Sequence, residues 1–322
     1  MTITEIAKWF ADKDDIAVIS HVSPDGDAVG SALTVKQAFE RLGKRACVVL
    51  ADPVPRKYRF LPGAEDVYAP DCLPFEPKCA FAVDVSEMRR MGSALEIFER
   101  APYKACLDHH ETNAGYGDVW HVEGDRASTG EMALEFVKAL GVEPDENIAS
   151  TAFVAVATDT GNFNYKNTDA RAFNAAAACV NYGAQVEPLT KKVYRERSLS
   201  CTLLLGEALM RVKTAADGRI AYTYVDNAIL EKTGARLEDA SRIANYLNEV
   251  AGVEVGVYFE EQSDNTKISW RAAGNLNVAE IAKCFGGGGH DAAAGANLKM
   301  TMEDAMAAVL ARTEEAVKGS EA

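Results

Sequence analysis

The residue types best suited to metal chemistry stand in four segments that are far apart along the chain. Each segment ends an apolar run in aspartate or histidine: His21, Asp25 and Asp27 after IAVIS; Asp84 after CAFAV; Asp108, His109 and His110 after KACL; Asp159 after AFVAVAT. A single aspartate of this kind is commonly a turn residue or a helix N-cap. Four apolar segments that all end in such residues favour one shared site instead.

Ligands bind outside the carboxyl ends of the strands in an open parallel sheet, so we expect the four ends to meet there. Grouped carboxylates raise one another's pKa unless a cation lies among them. Mixed carboxylate and imidazole ligands suit Mn²⁺, Zn²⁺, Co²⁺ or Fe²⁺ better than Ca²⁺. We therefore predict two divalent metal ions, with Mn²⁺ preferred and Mg²⁺, Co²⁺ or Fe²⁺ as alternatives.

Two metal ions roughly 3.5–4 Å apart are a recurring solution for phosphoester hydrolysis. In such sites one carboxylate bridges the ions, and a hydroxide held between them attacks phosphorus in line. The second histidine of Asp108-His109-His110 is then free to hold or protonate a phosphate oxygen. The sequence offers no G-x-S-x-G motif that would favour a covalent nucleophile.

Composition limits the substrates. The 322 residues include 34 Lys and Arg against 48 Asp and Glu, a net charge of −14. This balance argues against binding of long nucleic acid, which depends on clustered basic residues, and allows a small anionic substrate beside metal ions. The N-terminus does not resemble a signal peptide, and no apolar run is long enough to span a membrane, so we expect a cytoplasmic protein.

A second candidate site is the run Gly286-Gly287-Gly288-Gly289-His290. It lacks the Lys-Ser/Thr of a P-loop and the spacing of a dinucleotide-binding motif. Successive glycine N–H groups can approach an anion closely, and we expect the alanines from 292 to 294 to let a helix pack tightly. A flexible hinge is the alternative. Arg271 is positioned to bind the same phosphate, unless it is only an exposed strand-end arginine.

Strand patterns alternate with helical patterns in the first half of the chain, which predicts a parallel sheet covered by helices on both faces. A charged helical stretch from about Glu187 to Met210 precedes three further strand patterns. We therefore predict an α/β N-terminal domain (1–185), a helical linker (186–215) and a smaller α/β C-terminal domain (216–322), with the active site in the cleft between the domains.

These motifs resemble those of the DHH phosphoesterase superfamily, and GGGGHDAAAG is similar to the signature of the DHH-associated domain in RecJ-like members. The resemblance spans nearly the whole chain and is strongest to the bacterial branch of nanoRNases and 3′-phosphoadenosine 5′-phosphate phosphatases. It implies one metal on His21, Asp25 and Asp84, and another on Asp27, Asp84, His109 and Asp159. It also implies that His110 contacts or protonates the scissile phosphate, that Asp108 orients a neighbouring ligand, and that Arg271, Gly286, Gly287, Gly288, Gly289 and His290 grip the terminal nucleotide.

The implied activity is hydrolysis of very short RNA to nucleoside 5′-monophosphates and of 3′-phosphoadenosine 5′-phosphate to AMP. The resemblance also leads us to expect a homodimer. Four alternatives remain open: a RecJ-type single-strand exonuclease, a phosphodiesterase for cyclic dinucleotides or linear di-adenylate, an inorganic pyrophosphatase, and an inactive nucleotide sensor. A sensor has no need of a complete ligand set, so the metal content of the purified protein distinguishes it from an enzyme.

Overall fold

A parallel sheet organises the first half of the chain. The computed structural model describes residues 1–240, 243–273 and 276–319, and the chain divides into two units, Met1–Glu196 and Arg197–Ala322. The N-terminal unit contains α1 (Ile3–Trp9), β1 (Ile16–Ile19), α2 (Gly26–Arg41), β2 (Ala46–Val49), β3 (Val67–Tyr68), β4 (Cys79–Val83), α3 (Leu95–Arg100), β5 (Tyr103–Asp108), β6 (Val119–Val122), α4 (Thr129–Ala139), α5 (Glu146–Asp159), α6 (Ala170–Asn181) and α7 (Val186–Thr190).

The six strands lie in the order β3-β2-β1-β4-β5-β6, and every pair is parallel. β1 lies in the middle, with Ile16 beside Ala46 on one side and Cys79 on the other. The strand order reverses between β1 and β4, which is the point where open α/β sheets bind ligands. The segments that follow β1 and β4 therefore begin at a shared crevice.

Helices cover both faces of this sheet. Val18 and Phe81 face a cluster that includes Phe10 and Phe39, whereas Ala17 contributes to a second cluster on the opposite face. The aromatic rings of Phe10 and Phe81 have centroids 4.8 Å apart. The α/β fold class expected from the sequence is thus confirmed, and the burial of alternate residues on each face explains why its strands are almost wholly apolar.

The segment that ends at Asp159 corrects the sequence analysis, because it is the helix α5 and not a strand. Every residue from Ile148 to Ala157 is buried. A helix that is buried all round shows no polar stripe, so its sequence resembles that of a buried strand. Its 14 residues, capped by the Asp145 side chain, carry Asp159 to the site from outside the sheet.

The stretch from Glu187 to Met210 is also not one helix. It contains α7, a π-helical turn (Lys191–Arg195) and a separate helix, α8 (Leu199–Leu209), which begins at the N-cap Ser198. The side chain of Ser198 accepts a hydrogen bond from the N–H of Cys201. A serine that can satisfy the first-turn N–H groups favours starting a new helix there.

The C-terminal unit is built on a mixed sheet in the order β11-β12-β10-β9-β8-β7. Its elements are α8, β7 (Lys213–Ala215), β8 (Ile220–Val225), α9 (Asn227–Thr233), α10 (Ile243–Leu247), β9 (Val255–Glu261), β10 (Thr266–Ala272), α11 (Val278–Lys283), β11 (Gly288–His290), β12 (Ala293–Leu298) and α12 (Met302–Gly319). Trp270 is fully buried in its core. In the described part of the chain, no helix combines the length and apolarity needed to cross a membrane.

The glycine run leads into a β-hairpin, which the sequence did not predict, and α11 packs against it with Ala294 in the same buried cluster as Val278 and Ile281. β11 pairs antiparallel with β12, and Gly289 lies opposite Ala294. A Cβ on Gly287 would lie 2.2 Å from the carbonyl oxygen of Gly295. The run and the small residues after it therefore let two backbones approach closely.

Candidate metal centre

Asp84 lies at the centre of the site, directly after β4. Its φ angle is +58°, an uncommon backbone conformation that aspartate tolerates better than most residues. Oδ2 lies 3.6 Å from His21 Nε2, and Oδ1 lies 3.6 Å from His109 Nε2. Asp84 is only 2% exposed, and the two oxygens of its carboxylate thus face two different imidazoles.

The first group of candidate ligands consists of His21, Asp25 and Asp84, which follow β1 and β4. His21 Nε2 lies 3.8 Å from an Asp25 oxygen. His21 Nδ1 lies 2.8 Å from the carbonyl oxygen of Val22. A proton on Nδ1 would donate to that carbonyl and leave the Nε2 lone pair for a cation.

The second group consists of Asp27, His109 and Asp159. His109 Nε2 lies 3.8 Å from an Asp27 oxygen and 3.4 Å from an Asp159 oxygen. In each of the two groups, ligand atoms of all three residues lie within 4.8 Å of one another. The structure therefore brings together all six side chains that were expected to bind metal, with Asp84 between the groups.

Close packing of α2 against α5 accounts for the approach of Asp27 and Asp159. A Cβ on Gly30 would lie 2.6 Å from the carbonyl oxygen of Thr151 and 2.9 Å from the Cβ of Ala155. Glycine thus lets the two helices come together at the end where their carboxylates meet.

The pKa shifts of the aspartates indicate that this cluster favours a positive charge. Burial, and then the charge of Asp84, raises the pKa of Asp27 and of Asp159 well above the ordinary value. Burial acts on Asp84 in the same direction, but the nearby imidazoles of His21 and His109 outweigh it and lower the pKa of Asp84. Divalent cations would relieve the repulsion between carboxylates and are a good match for these oxygen and imidazole donors.

His110 lies beside the cluster and is held by Asp108. Its Nδ1 lies 2.8 Å from Asp108 Oδ1, and the amide of Asn113 donates to Asp108 Oδ2 at 2.7 Å. Burial opposes the charged imidazole, but the hydrogen bond to Asp108 and the charge of Asp84 raise the pKa of His110 to about 9. His110 can therefore carry a proton at neutral pH.

The candidate substrate residues lie in the C-terminal unit. Arg271, on β10, donates from Nε to the side-chain oxygen of Asn245 at 3.1 Å. A pocket of about 280 Å³ is lined by Lys267, Ile268, Ser269, Gly286, Gly287, Gly295, Ala296 and Asn297. Gly288 and Gly289 lie in β11, as does the backbone of His290, whose side chain falls outside the described part of the structure.

Several supporting residues were missed by the sequence analysis. Asp27 accepts hydrogen bonds from the N–H groups of Thr129 and Gly130, at 2.7 and 2.9 Å, and from the hydroxyl of Ser31 at 2.7 Å. Thr129 also donates from its hydroxyl to Asp84 Oδ1 at 3.0 Å. The capping sequence Ser128-x-x-Glu131 is typical of a helix start, and α4 begins there, but the pattern does not indicate that its first turn faces a carboxylate.

We expect the metal-free protein to lose stability as the pH rises from 6.5 to 9. In this window folded His110 keeps its proton while the unfolded chain releases it, so the folded state binds more protons and the free energy of unfolding falls, by about 3 kcal/mol at most. Urea denaturation in EDTA at several pH values measures the loss. His110→Gln should reduce the slope. An unchanged slope in His110→Gln would contradict the assignment.

Two family models match the chain. The model described as the DHH family N-terminal domain matches residues 15–158. The model described as the DHHA1 domain matches residues 217–319. The matches fall on the two units in the same order as the motifs.

Two curated relatives carry the name bifunctional oligoribonuclease and PAP phosphatase NrnA. The relative from Thermus thermophilus is 34% identical over 316 residues, which cover 97% of this chain and 93% of the relative. The relative from Bacillus subtilis is 26% identical, covering 92% of this chain and 93% of its own.

Solved structures share the fold. An exopolyphosphatase-related protein from Bacteroides fragilis superposes with a TM-score of 0.91 at 24% identity, covering 98% of this chain and 95% of its own. A structure of exonuclease RecJ bound to manganese gives a TM-score of 0.55 at 14% identity, covering 98% of this chain and 94% of its own. From the motifs, the family matches and the full-length identity to the Thermus thermophilus relative, the chain belongs to the DHH family and has a DHHA1 domain after its DHH domain.

Proposed function

We propose that this protein is a metal-dependent phosphoesterase that hydrolyses short oligoribonucleotides to nucleoside 5′-monophosphates and 3′-phosphoadenosine 5′-phosphate to AMP. The observation that carries the proposal is the pair of ligand groups that adjoin Asp84, which belongs to the first group and lies 3.6 Å from His109 of the second. The names of the relatives, aligned over nearly the whole chain, support the choice of substrates. The acidity of the chain favours small substrates over long strands.

In this proposal, His21, Asp25 and Asp84 hold one divalent ion, and Asp27, Asp84, His109 and Asp159 hold the other. The donor set, rich in carboxylates with one imidazole in each group, favours Mn²⁺. When bound, such ions polarise a phosphoryl oxygen and lower the pKa of water. The carboxylates keep the site from binding a phosphate anion until cations are present.

The remaining residues position groups and protons. Asp108 holds His110 at Nδ1, and Asn113 holds Asp108 in turn. A proton on Nε2 can be donated to a phosphate oxygen of the substrate. Thr129 fixes the orientation of the Asp84 carboxylate through its hydroxyl.

We further propose that Arg271, the glycine run and His290 bind the terminal nucleotide. The guanidinium of Arg271 is suited to a phosphate, and the pocket beside Gly286 and Gly287 offers polar groups from Lys267 and Ser269. The domain boundaries, the inter-domain cleft, the homodimer and the cytoplasmic location stay predictions.

The purified protein should release AMP from a 5′-labelled diadenylate in the presence of Mn²⁺ and do so slowly with a single-stranded 24-mer. Asp84→Asn should lower kcat at least 100-fold, because it removes charge from both groups while keeping the shape of the side chain. Asp71→Asn, an exposed aspartate in the same unit, serves as the matched control. The assay is chromatographic separation of labelled products.

If the diadenylate survives while the 24-mer, a cyclic dinucleotide or pyrophosphate is consumed, the proposed substrate is wrong and the corresponding alternative is correct. If none is hydrolysed and the protein binds nucleotide without metal, it is a sensor.

Arg271→Met should raise KM for the diadenylate at least 10-fold, since it removes the charge proposed to bind phosphate. The affinity for Mn²⁺ should not change, because Arg271 lies outside the ligand groups. Arg236→Met, an exposed arginine in the same unit, is the control. Steady-state kinetics and Mn²⁺ titration would refute the role if KM stayed at the wild-type value.

A further inference from the structure

Residues 126–130, between β6 and the first turn of α4, contact several members of the metal centre; we call them the 126–130 segment. The carbonyl oxygen of Arg126 lies 3.1 Å from His109 Nδ1. At the other end of the segment, Thr129 donates its hydroxyl hydrogen bond to Asp84. The same short stretch of chain therefore sets the orientation of both an imidazole and a carboxylate.

The segment also determines the position of Asp27. The N–H groups of Thr129 and Gly130 donate to different oxygens of that carboxylate, at 2.7 and 2.9 Å. Asp27 is 1% exposed, so these main-chain donors replace water as its partners. If the segment shifted, Asp27 would lose two hydrogen bonds at once.

The Arg126 side chain anchors the segment. Its Nε donates to Glu123 at 2.8 Å, and its two terminal nitrogens donate to the two oxygens of Glu135 at 2.8 and 3.1 Å. A third carboxylate, that of the buried Glu131, lies 3.6 Å from Nη1. The side chain is only 12% exposed, and a bidentate pair of this kind fixes direction as well as distance.

The backbone of Arg126 is tied to the same residues. Its N–H donates to the carbonyl oxygen of Glu123 at 3.1 Å, and the N–H of Glu123 donates to the carbonyl oxygen of Asp108 at 3.1 Å. The Arg126 carbonyl is thereby aimed at His109. A proton on His109 Nδ1 donates to that carbonyl, which leaves Nε2 facing Asp27, Asp84 and Asp159.

We propose that Arg126 is a positioning residue: through its ion pairs with Glu123 and Glu135 it holds the 126–130 segment, which presents His109, Asp27 and Asp84 to the divalent ions. The inference rests on the proposed metal centre. Arg126 has no proposed contact with substrate, so removing its side chain should weaken metal binding and leave KM for the nucleotide unchanged.

The test is calorimetric titration of metal-free protein with Mn²⁺, for wild type, Arg126→Met and Arg126→Lys. We expect Arg126→Met to bind at least one Mn²⁺ ion 10–100-fold more weakly, and Arg126→Lys to recover part of that loss. In the diadenylate assay, kcat of Arg126→Met should be low at limiting Mn²⁺ and recover at saturating Mn²⁺. Arg219→Met, which removes a bidentate pair with Glu254 in the other unit, is the matched control.

Glu135→Gln is measured in parallel, because it weakens the same link without removing the arginine; we expect Mn²⁺ binding to fall 3–10-fold. Wild-type Mn²⁺ affinity in both Arg126→Met and Glu135→Gln would overturn the proposal, as would a kcat that excess Mn²⁺ does not restore. Should Arg126→Met fail to fold, Glu135→Gln decides alone. Failure of the wild-type protein to cleave diadenylate would defeat the proposed function, yet the Mn²⁺ titration would still test Arg126.

Discussion

Repulsion between carboxylates is the constraint on which the rest of this structure depends. Four side chains, Asp25, Asp27, Asp84 and Asp159, converge on a small volume in which Asp27 and Asp84 are almost completely buried. Such a group is unfavourable unless positive charge lies within it. Imidazoles and the N-terminus of α4 supply part of that charge, yet burial and the charge of Asp84 still raise the pKa of Asp27. Divalent cations would complete the balance, which is why we propose a metal site here before any reaction is considered.

The fold provides this arrangement because of where the strand order reverses. The crevice between β1 and β4 receives His21 from one strand end and Asp84 from the next, and β5 adds His109 one position further along. Helices supply the rest: Asp25 is the N-cap of α2, and α5 ends at Asp159. Because these elements are fixed by buried apolar packing, the fold holds the carboxylates together despite their mutual repulsion.

Much of the centre could be predicted from the sequence, since the end of a buried strand is visible as an apolar run followed by Asp or His. The bounds of β4 were predicted to the residue. The helix α5 was not distinguished from a strand, because complete burial removes the polar stripe that identifies a helix. The contacts of Thr129 and Arg126 were not predictable either. Thr129 lies about a hundred residues from its partner Asp27 along the chain, and Arg126 contacts His109 through a backbone carbonyl. Neither kind of contact leaves a local pattern in the sequence. The hairpin after the glycine run was missed because glycines occur equally in loops and in closely paired strands.

The most direct test of the metal centre is anomalous diffraction at the manganese edge from crystals of the metal-free protein soaked in Mn²⁺. We predict two anomalous peaks per chain, one among His21, Asp25 and Asp84 and one among Asp27, His109 and Asp159, with both ions contacting Asp84. A single peak, or two peaks that do not share Asp84, would contradict it.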